Sequence, residues 1–156
     1  GAAIVGASDH VGIGPTIWGS DGAAWEAIRP NVLEDGSPGP TITMQGQSVF
    51  RWAVWSMAPV ALRAIDAAGL SVDDIDVFIP HQANVRIIDA MAKQMKLPER
   101  VVIARDIVDT ANTSAASVPL AAERLVREGQ AKSGDLALQI GFGAGLAYAA
   151  QVVEIP

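Results

Sequence analysis

From Gly46 onward the apolar residues recur at helical steps. Phe50, Ala53, Val54, Met57, Ala61, Ala64 and Ile65 stand three or four positions apart and predict an amphipathic helix. Gly69 reads as its C-cap and Pro59 as a kink inside it. Residues 75–80 are a short apolar run, predicting a buried strand that leads straight into His81. Asn84, Ile87, Ile88, Met91 and Met95 then share one helical face, up to Pro98. A third strand is expected over 101–104, and a helix from about Ser114 to Glu128 that Gly129 ends. Strands over 135–140 and 146–155 flank a tight glycine turn at 141–145. Ahead of Gly46, residues 1–8 read as a buried strand. Residues 9–45, rich in Gly, Pro, Asp and Ser, read as a long loop with a short strand near Thr16–Trp18 and a helical turn near 23–28. A loop of that length carries function or lies against a neighbour. Alternating strands and helices point to an α/β layered fold.

Composition narrows the class. At 156 residues the chain fits one domain. Half of it is apolar, 18% is charged and the mean hydropathy is +0.28, so part of the apolar surface is expected to face a partner; an alanine-rich core is the plainer account. No run approaches the roughly 18 to 20 apolar residues of a membrane span. The net charge of −6 argues against nucleic acid. Zero cysteines exclude disulfides and thiolate metal sites and agree with a cytoplasmic location. The start at Gly1, without Met or a basic leader, reads as a processed or partial product.

His81 follows a buried strand and precedes a helix, at the sheet edge where α/β folds bind ligands. An imidazole there can donate or accept a hydrogen bond; a histidine tying a loop to backbone is the competing reading. Asn112 occupies the matching place thirty-one residues on. Alone it reads as an N-cap. Paired with His81 it could aim a second N–H at the same point, an oxyanion site worth about 3 to 4 kcal/mol per donor. Gly141-Phe142-Gly143-Ala144-Gly145 precedes a strand, not a helix, so a hairpin turn explains it better than a dinucleotide loop. Two histidines, His10 and His81, without ligand spacing predict no metal site. Arg86 and Lys93 share a helix face, with Arg51 in the preceding helix; they form a landing patch for an acidic partner or an ordinary solvated face.

Three segments carry a resemblance. Ile79-Pro80-His81-Gln82-Ala83-Asn84-Val85-Arg86-Ile87-Ile88, then Asn112-Thr113-Ser114-Ala115-Ala116-Ser117-Val118-Pro119, then Gly141-Phe142-Gly143-Ala144-Gly145 resemble the C-terminal half of β-ketoacyl-acyl-carrier-protein synthase III. Met44-Gln45-Gly46-Gln47-Ser48-Val49-Phe50-Arg51 fits the segment that family places before its His, with Gln47 where Asn is expected. The likeness covers essentially the whole chain. Its alanine richness and Trp18-Gly19-Ser20-Asp21 look actinobacterial.

The resemblance implies one half of a thiolase-type layered fold, a mixed five-stranded sheet with helices, spanning residues 1–156. The nucleophilic Cys would belong to an N-terminal half outside this chain. It implies a condensing enzyme that starts fatty acid synthesis by joining an acyl group from acyl-CoA to malonyl-acyl carrier protein, without a further cofactor. His81 and Asn112 would stabilise the enolate, while the Ala144 N–H and Phe142 shape the acyl site. Gly46 and Asn84 would touch the pantetheine arm, and Arg51, Gln82, Ala83, Asn84, Val85, Arg86 and Lys93 would receive the acidic carrier protein. A homodimer of the full enzyme is expected. A priming ketosynthase or acyltransferase of polyketide synthesis, or a non-catalytic module binding carrier protein, are the alternatives.

Overall fold

The computed structural model describes all 156 residues. Its centre is a five-stranded mixed sheet in the order β1 (Ile17–Ser20), β7 (Ala147–Glu154), β6 (Leu136–Gly143), β4 (Val77–Pro80) and β5 (Val102–Ile103). β4 runs parallel to both β5 and β6, while β7 is antiparallel to β6 and to β1. All four residues of β4 are buried, as a strand covered on both faces requires.

Alternation along β4 and β6 divides the core. Phe78, Leu138, Ile140 and Phe142 face the larger cluster, which α1 (Gly46–Trp55), α2 (Met57–Ala67) and α3 (Val85–Met95) complete with Ala53, Met57, Ala61, Ile65, Ile87 and Met91. Val77, Ile79 and Ala137 face the other way, against Ala121 and Leu125 of α5 (Ser117–Arg127). Helices thus cover both faces of β4. Over β7 and β1 the α5 side stays open, with Trp18, Ala147 and Ala149 exposed.

Several expectations need correction. Residues 1–8 form no strand and are exposed, because their apolar run finds no partner strand to complete a ladder. The outer strand is instead β1, which is the short strand expected near Thr16–Trp18, shifted to Ile17–Ser20. Within the expected loop of 9–45, β2 (Ile28–Val32) and β3 (Pro38–Met44) pair as a separate antiparallel hairpin, preceded by a 3₁₀ turn at Gly22–Ala27. Its prolines sit in a two-stranded ribbon with a bulge between Pro30 and Val32. At that bulge the Asn31 Oδ1 accepts the Thr41 N–H at 3.0 Å and its hydroxyl at 2.8 Å. A Cβ on Gly39 would collide with the same amide.

The predicted kinked helix is two helices that part at Ser56. Pro59 lies in the first turn of α2, where its missing N–H would otherwise have sought the carbonyl of Trp55, the last residue of α1. The helix expected from Ser114 starts as a 3₁₀ turn, Ser114–Ala116, and turns α-helical at Ser117. A four-residue helix, α4 (Ile107–Thr110), precedes Asn112 unannounced. The glycine turn shortens to Ala144–Leu146, since β6 stays paired through Gly143.

Gly69 behaves as expected. At φ +73° its N–H reaches the Asp66 carbonyl at 2.9 Å, and the Leu70 N–H reaches the Ile65 carbonyl at 3.1 Å, a left-handed helix stop. Gly69→Ala should cost about 1 kcal/mol in chemical denaturation, the strain of a side chain at positive φ. An unchanged midpoint contradicts this.

Candidate active site

The strand β4 delivers His81 to the C-terminal edge of the sheet, where the His81 N–H extends the parallel ladder to the Ile140 carbonyl at 2.7 Å. The next residue anchors that exit. Gln82 is wholly buried; its Nε2 donates to the carbonyls of Pro80 (2.8 Å) and Ala104 (3.3 Å), and its Oε1 accepts the Ile107 N–H (3.1 Å). One side-chain amide joins the ends of β4 and β5 to the start of α4. This corrects the expectation that Gln82 greets a docking protein, because a fully buried side chain offers no surface.

His81 is half-buried. Its Nδ1 lies 2.7 Å from the Ser117 Oγ, and the Phe142 ring meets it edge-on with centroids 5.5 Å apart. Phe142 in turn packs edge-on against Trp52 at 6.0 Å. Burial lowers the imidazole pKa from its ordinary 6.5, since it penalises the charged ring. Burial therefore favours the neutral ring.

Asn112 sits in a turn with unusual backbone. Ala111 has φ 59° and ψ −165°, and Ser114 has φ 56°, both outside the range most side chains favour. The Asn112 Oδ1 accepts the Ser114 N–H at 2.9 Å, which leaves its amide N–H₂ without a partner in the chain. Between them the Thr113 hydroxyl is buried without a hydrogen bond.

His81, Asn112, Phe142 and Ala144 line one cleft of about 1110 Å³, together with Ser117, Tyr148, Trp18 and, from the hairpin, Ile28, Ile42 and Met44. The other candidates lie elsewhere. Gly46 opens α1 with empty space around it. Asn84 caps α3, its Oδ1 accepting the Arg86 N–H at 2.9 Å. Ala83 and Val85 are half-buried, Ala83 against the main core. Arg51, Arg86 and Lys93 are exposed on the packed pair α1 and α3. Carboxylates pair Arg100, Arg105, Arg124 and Arg127, whereas none pairs these three. No three His, Asp or Glu side chains gather as a metal-ligand set, and no helix is long and apolar enough to cross a membrane.

Two contributors escape the sequence reading. The hairpin wall lay in what read as loop, and Ser117 carried no signal beyond its place at a helix start.

Known proteins now bear on this geometry. The model of the 3-oxoacyl-[acyl-carrier-protein] synthase III C-terminal region matches residues 65–155, more than half of the chain. The chain belongs to that family. It is 60% identical over 162 residues to the β-ketoacyl-[acyl-carrier-protein] synthase III of Streptomyces glaucescens, covering all of this chain and 49% of the relative. To synthase III 1 of Streptomyces coelicolor it is 58% identical over 172 residues, covering all of this chain and 50% of the relative. Among solved structures it resembles the priming β-ketosynthase of the R1128 polyketide pathway, with TM-score 0.90 and 46% identity over 97% of this chain and 47% of that one. The chain spans about half the length of the relatives it matches, and corresponds to their C-terminal half, with the thiolase-type fold expected of the family.

Two measurements check the site. The His81 ring should titrate below 6.5, read from the pH dependence of its ring proton resonance; a midpoint at or above 6.5 contradicts the desolvation. Gln82→Leu strands two carbonyls and one N–H, so it should lose about 3 kcal/mol of stability in denaturant. A loss below about 1 kcal/mol would refute the anchoring role.

Proposed function

We propose that this chain is the C-terminal half of a condensing enzyme that joins an acyl group from acyl-CoA to malonyl-acyl carrier protein, initiating fatty acid synthesis. The observation that carries the reading is a half-buried His81 and a free Asn112 amide lining one cleft in a member of the synthase III family.

The chemistry asks for what these groups offer. Loss of carbon dioxide from a malonyl thioester leaves an enolate, whose oxygen gains negative charge in the transition state. A neutral imidazole N–H and a carboxamide N–H aimed at that oxygen stabilise it more than the ground state, about 3 to 4 kcal/mol each. The enolate carbon then attacks an acyl thioester on the cysteine of the N-terminal half. The thiolate leaves, and the product is a β-ketoacyl thioester on the carrier protein. The Ala144 N–H holds the acyl oxygen during that attack. Phe142, edge-on to His81, keeps water from the carbanion.

Gly46 and Asn84 guide the pantetheine arm. The acidic carrier protein docks on Arg51, Arg86 and Lys93, cations with no carboxylate of their own, beside Ala83, Asn84 and Val85. The full enzyme works as a cytoplasmic homodimer. The likeness to a priming β-ketosynthase favours a second reading, the first condensation of a polyketide pathway with the same His81 and Asn112 and a different acyl group.

With the N-terminal half supplied, carbon dioxide release from malonyl-acyl carrier protein should fall 10²- to 10³-fold in His81→Ala and in Asn112→Ala. Release at the unmutated rate in either variant would remove that residue from the mechanism.

A further inference from the structure

Ser117 has no part in the proposal above, yet its hydroxyl is placed with care. It opens α5, is buried, and touches two residues thirty-five and thirty-six positions away. The Gln82 N–H donates to its Oγ at 3.2 Å, and the His81 Nδ1 lies 2.7 Å from the same oxygen. Gln82 is itself fixed by three hydrogen bonds, so this oxygen has little freedom.

A serine hydroxyl carries one proton and two lone pairs. Here the Gln82 N–H takes one lone pair, and the His81 Nδ1 is the only acceptor within reach of the proton. If Nδ1 were protonated it would donate to Oγ, and the serine proton would be buried with no acceptor. Folded proteins avoid such orphans. The satisfied arrangement has the hydroxyl donating to a bare Nδ1, which leaves the single proton of a neutral ring on Nε2. Nε2 has no hydrogen-bond partner in this part of the chain, and His81 lines the cleft.

We propose that Ser117 is a positioning residue: by donating to Nδ1 it holds His81 as the tautomer with its N–H on Nε2, turned to the substrate. This rests on the reading of His81 as an enolate donor. Double protonation would turn Nδ1 into a donor facing a hydroxyl already engaged by Gln82, so the same contact opposes the imidazolium. The lowered pKa of the ring agrees.

The test uses the full-length enzyme with ¹⁵N-labelled histidine, the His81 signals assigned by their loss in His81→Ala. The unmutated enzyme should have a protonated Nε2 and an unprotonated Nδ1; the reverse overturns the proposal. Ser117→Ala should mix the tautomers and slow carbon dioxide release from malonyl-acyl carrier protein about tenfold, the scale of one lost hydrogen bond. Transfer of the acyl group from acyl-CoA to the enzyme thiol, which forms no enolate, should stay within twofold. Equal losses in both half-reactions would mean a packing role, and an unchanged release no role; either overturns the proposal. Should His81→Ala itself release carbon dioxide normally, the enolate reading fails first. A dead His81→Ala beside an unaffected Ser117→Ala sinks the tautomer proposal alone.

Discussion

Everything at the cleft depends on how the chain leaves β4. Parallel strands end together at one edge, and there the last backbone groups have no further ladder to join. In this protein the Gln82 amide takes up three of them, the carbonyls of Pro80 and Ala104 and the N–H of Ile107. Because the amide is buried, each bond forms away from competing water, and losing one would leave an unpaired polar group in the interior. The residue before it has no choice of direction. His81 is placed by a strand on one side and by an immobile side chain on the other.

A second interaction does for Asn112 what Gln82 does for His81. Arg124 of α5 pairs with Asp106 at 2.8 Å, Asp109 at 2.7 Å and Glu128 at 2.8 Å. Asp106 is buried, and the Thr110 hydroxyl also donates to its carboxylate, so α4 is fastened to α5 at both ends. An arginine suits this because its planar fork meets several carboxylates at once, and they raise its pKa further above the ordinary value. The turn carrying Asn112 spans the short gap between these two fastened helices. That explains how Ala111 and Ser114 stay at positive φ: the ends are set, and the turn must fit between them.

Much of this was legible in the sequence where hydrophobic periodicity has a partner inside the chain. The helical stretches of α1 with α2, of α3 and of α5 and the strands around His81 follow from it, as does the α/β class. His81 was legible as the residue at a strand exit, whereas Asn112, read in the matching place, follows the short helix α4 and lies nine residues beyond β5. What stayed hidden has physical reasons. Residues 1–8 look like a strand, yet no partner strand lies beside them. The hairpin of β2 and β3 looks like loop because Pro30, Pro38 and Pro40 are breakers in a wide sheet but tolerable in a two-stranded ribbon. Gln82, next to Asn84 and Arg86, reads as surface; only the convergence of two strand ends makes it core. Ser117 reads as one more small residue in an Ala-Ser run, and its meaning appears when α5 packs beneath β4 and brings it to a histidine far away in sequence.

The rigid and open parts of the molecule divide along the same line. His81 and its supports Gln82 and Ser117 lie where the sheet is covered on both faces, with Phe78, Leu138 and Ile140 on one side and Ala121 and Leu125 on the other, whereas Asn112 is exposed on the turn before α5. The rest of the cleft wall, from Trp18 and the hairpin, stands where the sheet has no helix over it, with Trp18, Ile42 and Met44 exposed. Geometry of a few tenths of an ångström matters for an N–H aimed at a developing charge, and only close-packed surroundings hold it. In the proposed reaction, recognition of a bulky acyl or pantetheine group would be less exacting and could rely on a more open wall. Under the proposed function, the close-packed part of the cleft around His81 would serve the condensation step, and the open part is where a different acyl group would be accommodated.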